Sequence, residues 1–545
     1  MINVNNVSLG FGKRMLFKEV NIKFNPGNCY GLIGANGSGK STFLKILSGE
    51  IEADTGEINI PGNLRMAVLQ QNHFLFDESR VIDTVIMGHK KLYAIMTERN
   101  TLYEKADFSE ADGIRASELE GDFAEMGGWE AESEAGILLN GLGISDSHHE
   151  KYMKDLEGGE KVRVLIAQAL FGNPDILIMD EPTNHLDLES IKWLEGFLYD
   201  FKNLVIVVSH DRHFLNQVCT HIADIDYSAI NMYVGNYDFW YQTSQLLNRQ
   251  KKDDKKKAED KAAELKTFIA RFSSNAARSK QATSRQKILD KLDLESLKPS
   301  SRKFPYVAFK PDRECGKSIL TVKGLSYKVE GSYGLDNFEM VVQPGEKIAF
   351  LGDAATKTQL FEILSGNLQP DSGTMEWGST ITTSYFPKDF NRYFLEDENL
   401  VDWLRPFAKQ NEQDETTLRG FLGRMLFSGD ETQKPVKVLS GGEKVRCVLS
   451  KMMLTGGNVL IMDEPTNHLD LESITSLNEA LQDFKEVLLI VTHDHALMES
   501  TANRIIELTP SGWIDRKATF EDYLSSPEIQ ALRDQHYHGH TRLML

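Results

Sequence analysis

Residues Ile33–Gly49 read IGANGSGKSTFLKILSG. Gly34, Gly37 and Gly39 permit backbone conformations closed to other residues, so successive N–H groups can turn toward one centre. The stretch follows a short apolar run, CYGLI at Cys29–Ile33, and continues into the helical pattern STFLKILSG. A glycine loop between a strand and a helix N-terminus is a cradle for phosphate oxygens. Lys40 adds positive charge, and the Ser41 hydroxyl is a hard oxygen ligand suited to Mg2+. Gly34, Ala35, Asn36, Gly37, Ser38, Gly39, Lys40, Ser41 and Thr42 are therefore the candidate nucleotide-binding set.

Outward from this loop the chain repeats itself. LIMDEPTNHLDLESI occurs at Leu177–Ile191 and again, letter for letter, at Leu460–Ile474; GGEKVR occurs at Gly158–Arg163 and Gly441–Arg446. Both pairs share an offset of 283 residues, whereas Lys40 maps onto Lys357 with an offset of 317, so the first copy carries 34 extra residues between its loop and GGEKVR. The second loop, LGDAATKTQLFEILSG at Leu351–Gly366, is one residue shorter and has lost its interior glycines. The repeat predicts two α/β domains of one kind in tandem, 1–248 and 318–545, joined by a segment spanning 249–317. A length of 545 residues accommodates both.

Composition narrows the class further. No apolar run approaches the roughly 20 residues of a membrane span, and MINVNNVSLGFGK lacks the pattern of a signal peptide. Cys29, Cys219, Cys315 and Cys447 are widely spaced and form no C-x-x-C, which points away from zinc or a disulfide framework and toward a reducing cytoplasm. The net charge is −19, but Arg249–Lys303 holds 17 Lys and Arg against 8 Asp and Glu, leaving −28 for the remainder. A basic segment in an acidic chain is the electrostatic footprint of a nucleic-acid contact.

The run ILIMDE, Ile176–Glu181, reads as a buried strand ending in two carboxylates. That position suits Asp180 to hold magnesium through its water shell and Glu181 to orient or deprotonate an attacking water. His210 follows the apolar strand LVIVV and is placed to contact a γ-phosphate.

Together the glycine loop, GGE, LIMDEPTNHLD and the strand-end histidine resemble the ATP-binding cassette superfamily, with every motif present twice. Two cassettes without a membrane segment, joined by a charged linker, are similar to the ABC-F family, and the linker text FIARFSSNAARSKQATSR resembles the YbiT and YkpA branch. The resemblance implies an ATPase using ATP and Mg2+, whose halves pair head to tail within one monomeric chain. One site would then combine Phe11 as an adenine-stacking aromatic, Gly34 to Thr42, Gln71 as a metal and catalytic ligand, Asp180, Glu181 and His210 with the signature Ser440, Gly441, Gly442 and Glu443.

The other site would combine Lys357, Thr358, Lys388, Asp463, Glu464 and His493 with Glu157, Gly158 and Gly159, and departs from the family pattern. Val329 stands where the first half has Phe11, Lys388 where it has Gln71, and Glu157 where the second half has Ser440. A carboxylate about 4 Å from a phosphate charge costs roughly 4 kcal/mol at an effective dielectric near 20. The changes converge on one site, so the expectation is one working and one degenerate ATP site.

Apolar Ala262, Leu265, Phe268, Ile269 and Phe272 recur at spacings of three and four, predicting two amphipathic linker helices around a polar bend at 270–285. Arg271, Arg278, Lys280 and Arg285 there are candidate phosphate contacts, and the resemblance implies transfer RNA and ribosomal RNA as targets, near the exit site of the ribosome. The extra residues of the first half, near 97–134, are helical in pattern and acidic, with 12 Asp and Glu against 3 Lys and Arg. The family carries an arm there. Competing readings of the same machinery are the motor subunit of a membrane transporter and an antibiotic-protection protein. The tail HYHGHTRLML, with three alternating histidines, reads as a disordered terminus.

Overall fold

A computed structural model describes residues 1–12, 14–35, 37–69, 72, 74–184, 186, 188–272, 302–329 and 334–537. Each half is built on a six-stranded sheet. In the first, strands run in the order Met66–Val68, Ile176–Asp180, Leu204–Val208, Cys29–Gly34, His221–Asp226 and Ala229–Val234, all parallel except the last. The second repeats the order with Thr383–Phe386, Val459–Asp463, Val487–Val491, Lys347–Gly352, Arg504–Thr509 and Gly512–Arg516. LVIVV and VLLIV are buried along their whole length, as strands covered on both faces must be, which is why they read as continuous apolar runs.

A three-stranded antiparallel sheet flanks each core: Arg14–Phe24, Ile2–Phe11 and Thr55–Asn59 in the first half, Leu335–Val342, Leu320–Tyr327 and Ser372–Trp377 in the second. In a parallel sheet all C-terminal strand ends open on one edge. Cys29–Gly34 lies beside Leu204–Val208, which lies beside Ile176–Asp180, so the loops after these strands converge.

The acidic insertion folds onto the first half. Helices Lys90–Tyr103 and Glu110–Glu125 pack as a hairpin, with Leu102, Leu119 and Phe123 joining the core and the Arg99 guanidinium 4.0 Å over the Phe123 ring. Ser109 and Asp112 close its second helix with a capping box.

A single helix runs from Tyr237 to Phe272, so residues 248 and 249, the expected end of the first half and start of the linker, lie within one element. At about 1.5 Å per residue this helix extends roughly 54 Å. The expected second linker helix and Arg278, Lys280 and Arg285 lie outside the described residues, as do the last eight residues of the tail. The side chain of Arg271, on the helix's last turn, is likewise outside them.

The returning chain is tied down. Arg302 is buried and bonds to Asp224 of the first half and Glu472 of the second, with its guanidinium 4.7 Å over the Trp240 ring. Trp240 donates its indole N–H to Asp224 at 3.1 Å. Residues 306 and 312 then bond along the second half, to the carbonyls of Arg424 and Gly456. Among the described residues, no helix is long and apolar enough to cross a membrane. All four cysteines are free thiols; Cys29 and Cys219 approach to 4.0 Å between sulfurs without a disulfide.

Candidate nucleotide sites

In the first half the cradle is open. Helix Lys40–Leu47 begins at Gly39, whose φ of 103° lies in the left-handed region and which provides no side chain to cap the helix. A Cβ at Gly39 would sit 2.7 Å from Phe17, and one at Gly34 2.5 Å from the Ser38 hydroxyl, so both positions demand glycine. Lys40 Nζ folds back on the Gly34 carbonyl at 2.8 Å. Among the described residues, the Ser38 hydroxyl is buried without a hydrogen-bond partner. An uncapped helix end, an ammonium and an unsatisfied hydroxyl together fit a bound anion. Ser41 and Thr42 follow on the first turn, and Phe11 is 59% exposed at the end of its strand, available as a stacking platform. Asn36 and Gln71 lie outside the described residues.

Glu181 sits one residue past its strand with φ of 52°, held by its N–H on the Val208 carbonyl at 2.8 Å. Its Oε2 accepts the His210 backbone N–H at 3.1 Å, while Oε1 faces His210 Nε2 at 3.5 Å, too far for a strong bond. Among the described residues, Glu181 Oε1 and His210 Nδ1 are both buried without hydrogen-bond partners. Burial pushes the Glu181 carboxyl up to about 7, with the Asp180 charge adding to it and the His210 N–H opposing. Burial, then the Lys40 charge, pushes His210 down to about 4, so its imidazole is neutral at physiological pH. A carboxyl titrating near neutrality beside a neutral imidazole is suited to accept a proton from water.

The second half closes the same feature from within. Asp353 caps helix Ala354–Leu364, its Oδ2 accepting the Thr356 N–H at 2.9 Å and the Thr356 hydroxyl at 3.0 Å. A protein carboxylate thus occupies the helix end that the first half leaves open. Tyr327 donates its hydroxyl to the Thr356 carbonyl at 2.6 Å from behind, and Val329 is buried. Lys357 is buried, and that burial lowers its pKa against the pull of Glu464 and Asp463; the Lys388 charge, exposed at the rim, lowers it further.

Glu464 repeats the positive φ of Glu181, at 53°, but its Oε1 is 3.0 Å from His493 Nε2. Although burial opposes it, the His493 charge and hydrogen bond hold this carboxyl below its ordinary value, the opposite of Glu181. Asp463 is pushed up to about 6 by burial.

The signatures cap their own helices. Ser440 Oγ accepts the Glu443 N–H at 3.4 Å, and the Ser440 N–H donates to Glu443 at 2.8 Å. Gly442 is required by the His468 carbonyl, 2.8 Å from an added Cβ, while a Cβ at Gly441 would press the His468 ring at 3.2 Å. In the first half Glu157 takes the serine's capping place on helix Gly158–Leu170, its N–H donating to Glu160 at 3.0 Å. A cavity of about 730 Å³ separates the halves, with Glu181, His210 and Arg163 on one wall and His468, Leu469 and His493 on the other.

Some participants escaped the motif reading. Asp470 and Glu472 of the second half act on the Lys40 charge, as does Arg302. Asp353 was legible as an acidic residue just before a helical pattern; Asp470 and Glu472 lie inside the repeated LIMDEPTNHLDLESI, which marks them without assigning them to the facing site, and Tyr327 carries no local signal.

A doubled, strand-end phosphate cradle with paired carboxylates and histidines defines a tandem ATP-binding cassette protein. A family model described as ABC transporter matches residues 17–184 and 335–467, and a second with the same description matches 223–309. The chain is 59% identical over 532 residues to the uncharacterized ABC transporter ATP-binding protein YkpA of Bacillus subtilis (strain 168), spanning 97% of this chain and 98% of that one. It is 45% identical over 531 residues to the probable ATP-binding protein YbiT of Escherichia coli O157:H7, spanning 97% and 100%. The chain belongs to the ABC-F family of the ATP-binding cassette superfamily and is an ATPase. The solved RNase-L inhibitor shares the fold, with a TM-score of 0.60 at 16% identity over 99% of both chains. So does the archaeal ribosome recycling factor aABCE1, solved with the ribosomal stalk protein aP1, with a TM-score of 0.59 at 18% identity over 94% of this chain and 89% of that one.

Proposed function

We propose that this ATPase turns over ATP at the first site only, and that it acts on the ribosome in the cytoplasm through its basic linker. The observation that carries the asymmetry is the pair of helix ends: Gly39 leaves one uncapped, Asp353 fills the other. At the first site Gly34 to Thr42 bind the phosphates and Phe11 stacks on adenine. Glu181 Oε1 takes a proton from the attacking water, and neutral His210 hydrogen-bonds the γ-phosphate. The oxygens of Ser41, Asp180 and Gln71 are hard donors that fit Mg2+, which supplies charge neutralisation when bound. Ser440, Gly441, Gly442 and Glu443 complete the site from the facing half of the same monomeric chain.

At the second site Lys357, Thr358, Asp463, Glu464 and His493 keep the architecture, while Asp353, Lys388 and the signature Glu157, Gly158 and Gly159 disfavour turnover. Lys388 presents an ammonium where the cation needs a lone pair, so that half does not fit Mg2+.

The ribosomal reading rests on the charge of 249–303 and on family membership. Arg271, Arg278, Lys280 and Arg285 would neutralise about four phosphates of ribosomal or transfer RNA. At roughly 0.7 to 0.9 counterions per contact, raising salt from about 50 to 200 mM weakens binding roughly 50- to 150-fold. Sedimentation of the Glu181→Gln, Glu464→Gln protein with ribosomes through sucrose tests this. ATP-dependent, salt-sensitive co-sedimentation is expected. A protein that stays at the top of the gradient under every condition refutes the ribosomal role and leaves the linker a spacer.

A further inference from the structure

We propose that the seam between the cassettes carries a metal site distinct from the ATP sites, in which His213, His495 and Glu521 hold a divalent transition ion that bridges the two halves. His213 lies on helix Arg212–Val218 of the first half; His495 begins helix His495–Thr501 of the second, and Glu521 lies on helix Phe520–Ser525. One ligand atom from each lies within 4.8 Å of the other two. The two imidazoles stack with centroids 3.9 Å apart, so residues from opposite halves meet there, and one ring turns on binding so that both lone pairs face one ion.

The support around His213 is that of a metal ligand. Its Nδ1 is 3.1 Å from Glu195 Oε1, which fixes the proton on Nδ1 and leaves the lone pair on Nε2. The Gln217 amide reaches Nε2 at 3.4 Å, a contact weak enough for an ion to displace. A carboxylate behind an imidazole is the usual device for aiming a ligating histidine. His495 is buried at the start of its helix, facing His213 across the seam.

Two imidazoles and one carboxylate form a donor set for Zn2+, Co2+ or Ni2+, whereas Mg2+ requires oxygens. Glu195, Asp211, Glu521 and Asp494 place four carboxylates around the seam, with the Arg212 guanidinium 3.9 Å from Asp494. A dication would balance the carboxylates that Arg212 does not reach.

The pair is not a by-product of the duplication. The 283-residue offset places Arg212 opposite His495 and Ala496 opposite His213, so the two histidines come from different positions of the repeat.

The test titrates Co2+ into the untagged full-length protein, reading its visible ligand-field bands, with Zn2+ calorimetry in parallel. The expected result is one ion per chain, undisplaced by excess Mg2+. Glu195→Gln should weaken binding roughly 10- to 100-fold, and His213→Ala and Glu521→Gln should do so at least tenfold. Glu521 is exposed, so its variant keeps the fold, and thermal melting checks the others. His538→Ala with His540→Ala should leave the bands intact, separating the seam from the histidine-containing tail. Absence of binding, bands indifferent to His213→Ala and Glu521→Gln, or bands lost with the tail histidines would overturn the proposal.

Discussion

Glu181→Gln should stabilise the protein while removing its activity, and the gain should depend on pH. The Glu181 carboxyl is raised from 4.5 to about 7 by burial. The folded state therefore binds this proton more tightly than the unfolded state. Stability from the group is fully present below pH 4.5 and is lost as pH rises toward 7. At about 1.4 kcal/mol per tenfold change in acid constant, the loss is about 3 kcal/mol by pH 8 and under about 1 kcal/mol at pH 5. Glutamine keeps a carbonyl oxygen for the His210 N–H but never ionises, so it escapes this cost. Thermal melting of wild type and variant at pH 5 and pH 8, without nucleotide, should show the first-half transition raised by ~6–10 °C at pH 8 and by little at pH 5. A variant no more stable than wild type at pH 8, or a gain independent of pH, would refute the claim that an ionised Glu181 is held at a cost in a desolvated site.

The same carboxyl sets the rate profile: as a base it works only when deprotonated, so turnover should fall about tenfold between pH 8 and pH 6. A steady-state ATPase profile flat across that range would remove Glu181 as the titrating base. Asp353→Ala should cost about 1 kcal/mol of stability through the lost helix cap, yet increase nucleotide affinity at the second site by freeing its amides. Fluorescent-nucleotide titration in a Lys40→Ala background, where the first cradle is weakened, reads that gain. Affinity unchanged by Asp353→Ala would show that the carboxylate is not what excludes phosphate.

The twin-cassette fold was legible because its loops are written in glycine, carboxylate and strand-end histidine, residue types that backbone geometry and phosphate chemistry both demand. The degenerate loop was legible too, although its meaning was incomplete. The missing glycines announced a poorer cradle, but the occupation of its helix end by Asp353 and the locking of Thr356 by Tyr327 depend on a strand 26 residues upstream of Asp353. Glu464 and Glu181 sit in identical sequence, and their surroundings set their acidities apart: His493 comes within 3.0 Å of Glu464, with the Lys357 and Lys388 charges behind it, whereas His210 stays 3.5 Å from Glu181 and the Asp180 charge adds to burial. Arg302 read as one more positive charge of a basic linker. The fold buries it against Asp224, Glu472 and Trp240, which come from three distant segments and leave no mark in its neighbourhood.

The central claim, one working site and one retired site, is tested most directly by steady-state ATP hydrolysis of Glu181→Gln and Glu464→Gln side by side under saturating ATP and Mg2+. Loss of a buried general base removes roughly 10²- to 10⁴-fold in rate. Glu181→Gln should show that drop, and Glu464→Gln should retain most of its activity. Equal losses in the two variants would contradict the claim, because both carboxylates would then be working bases.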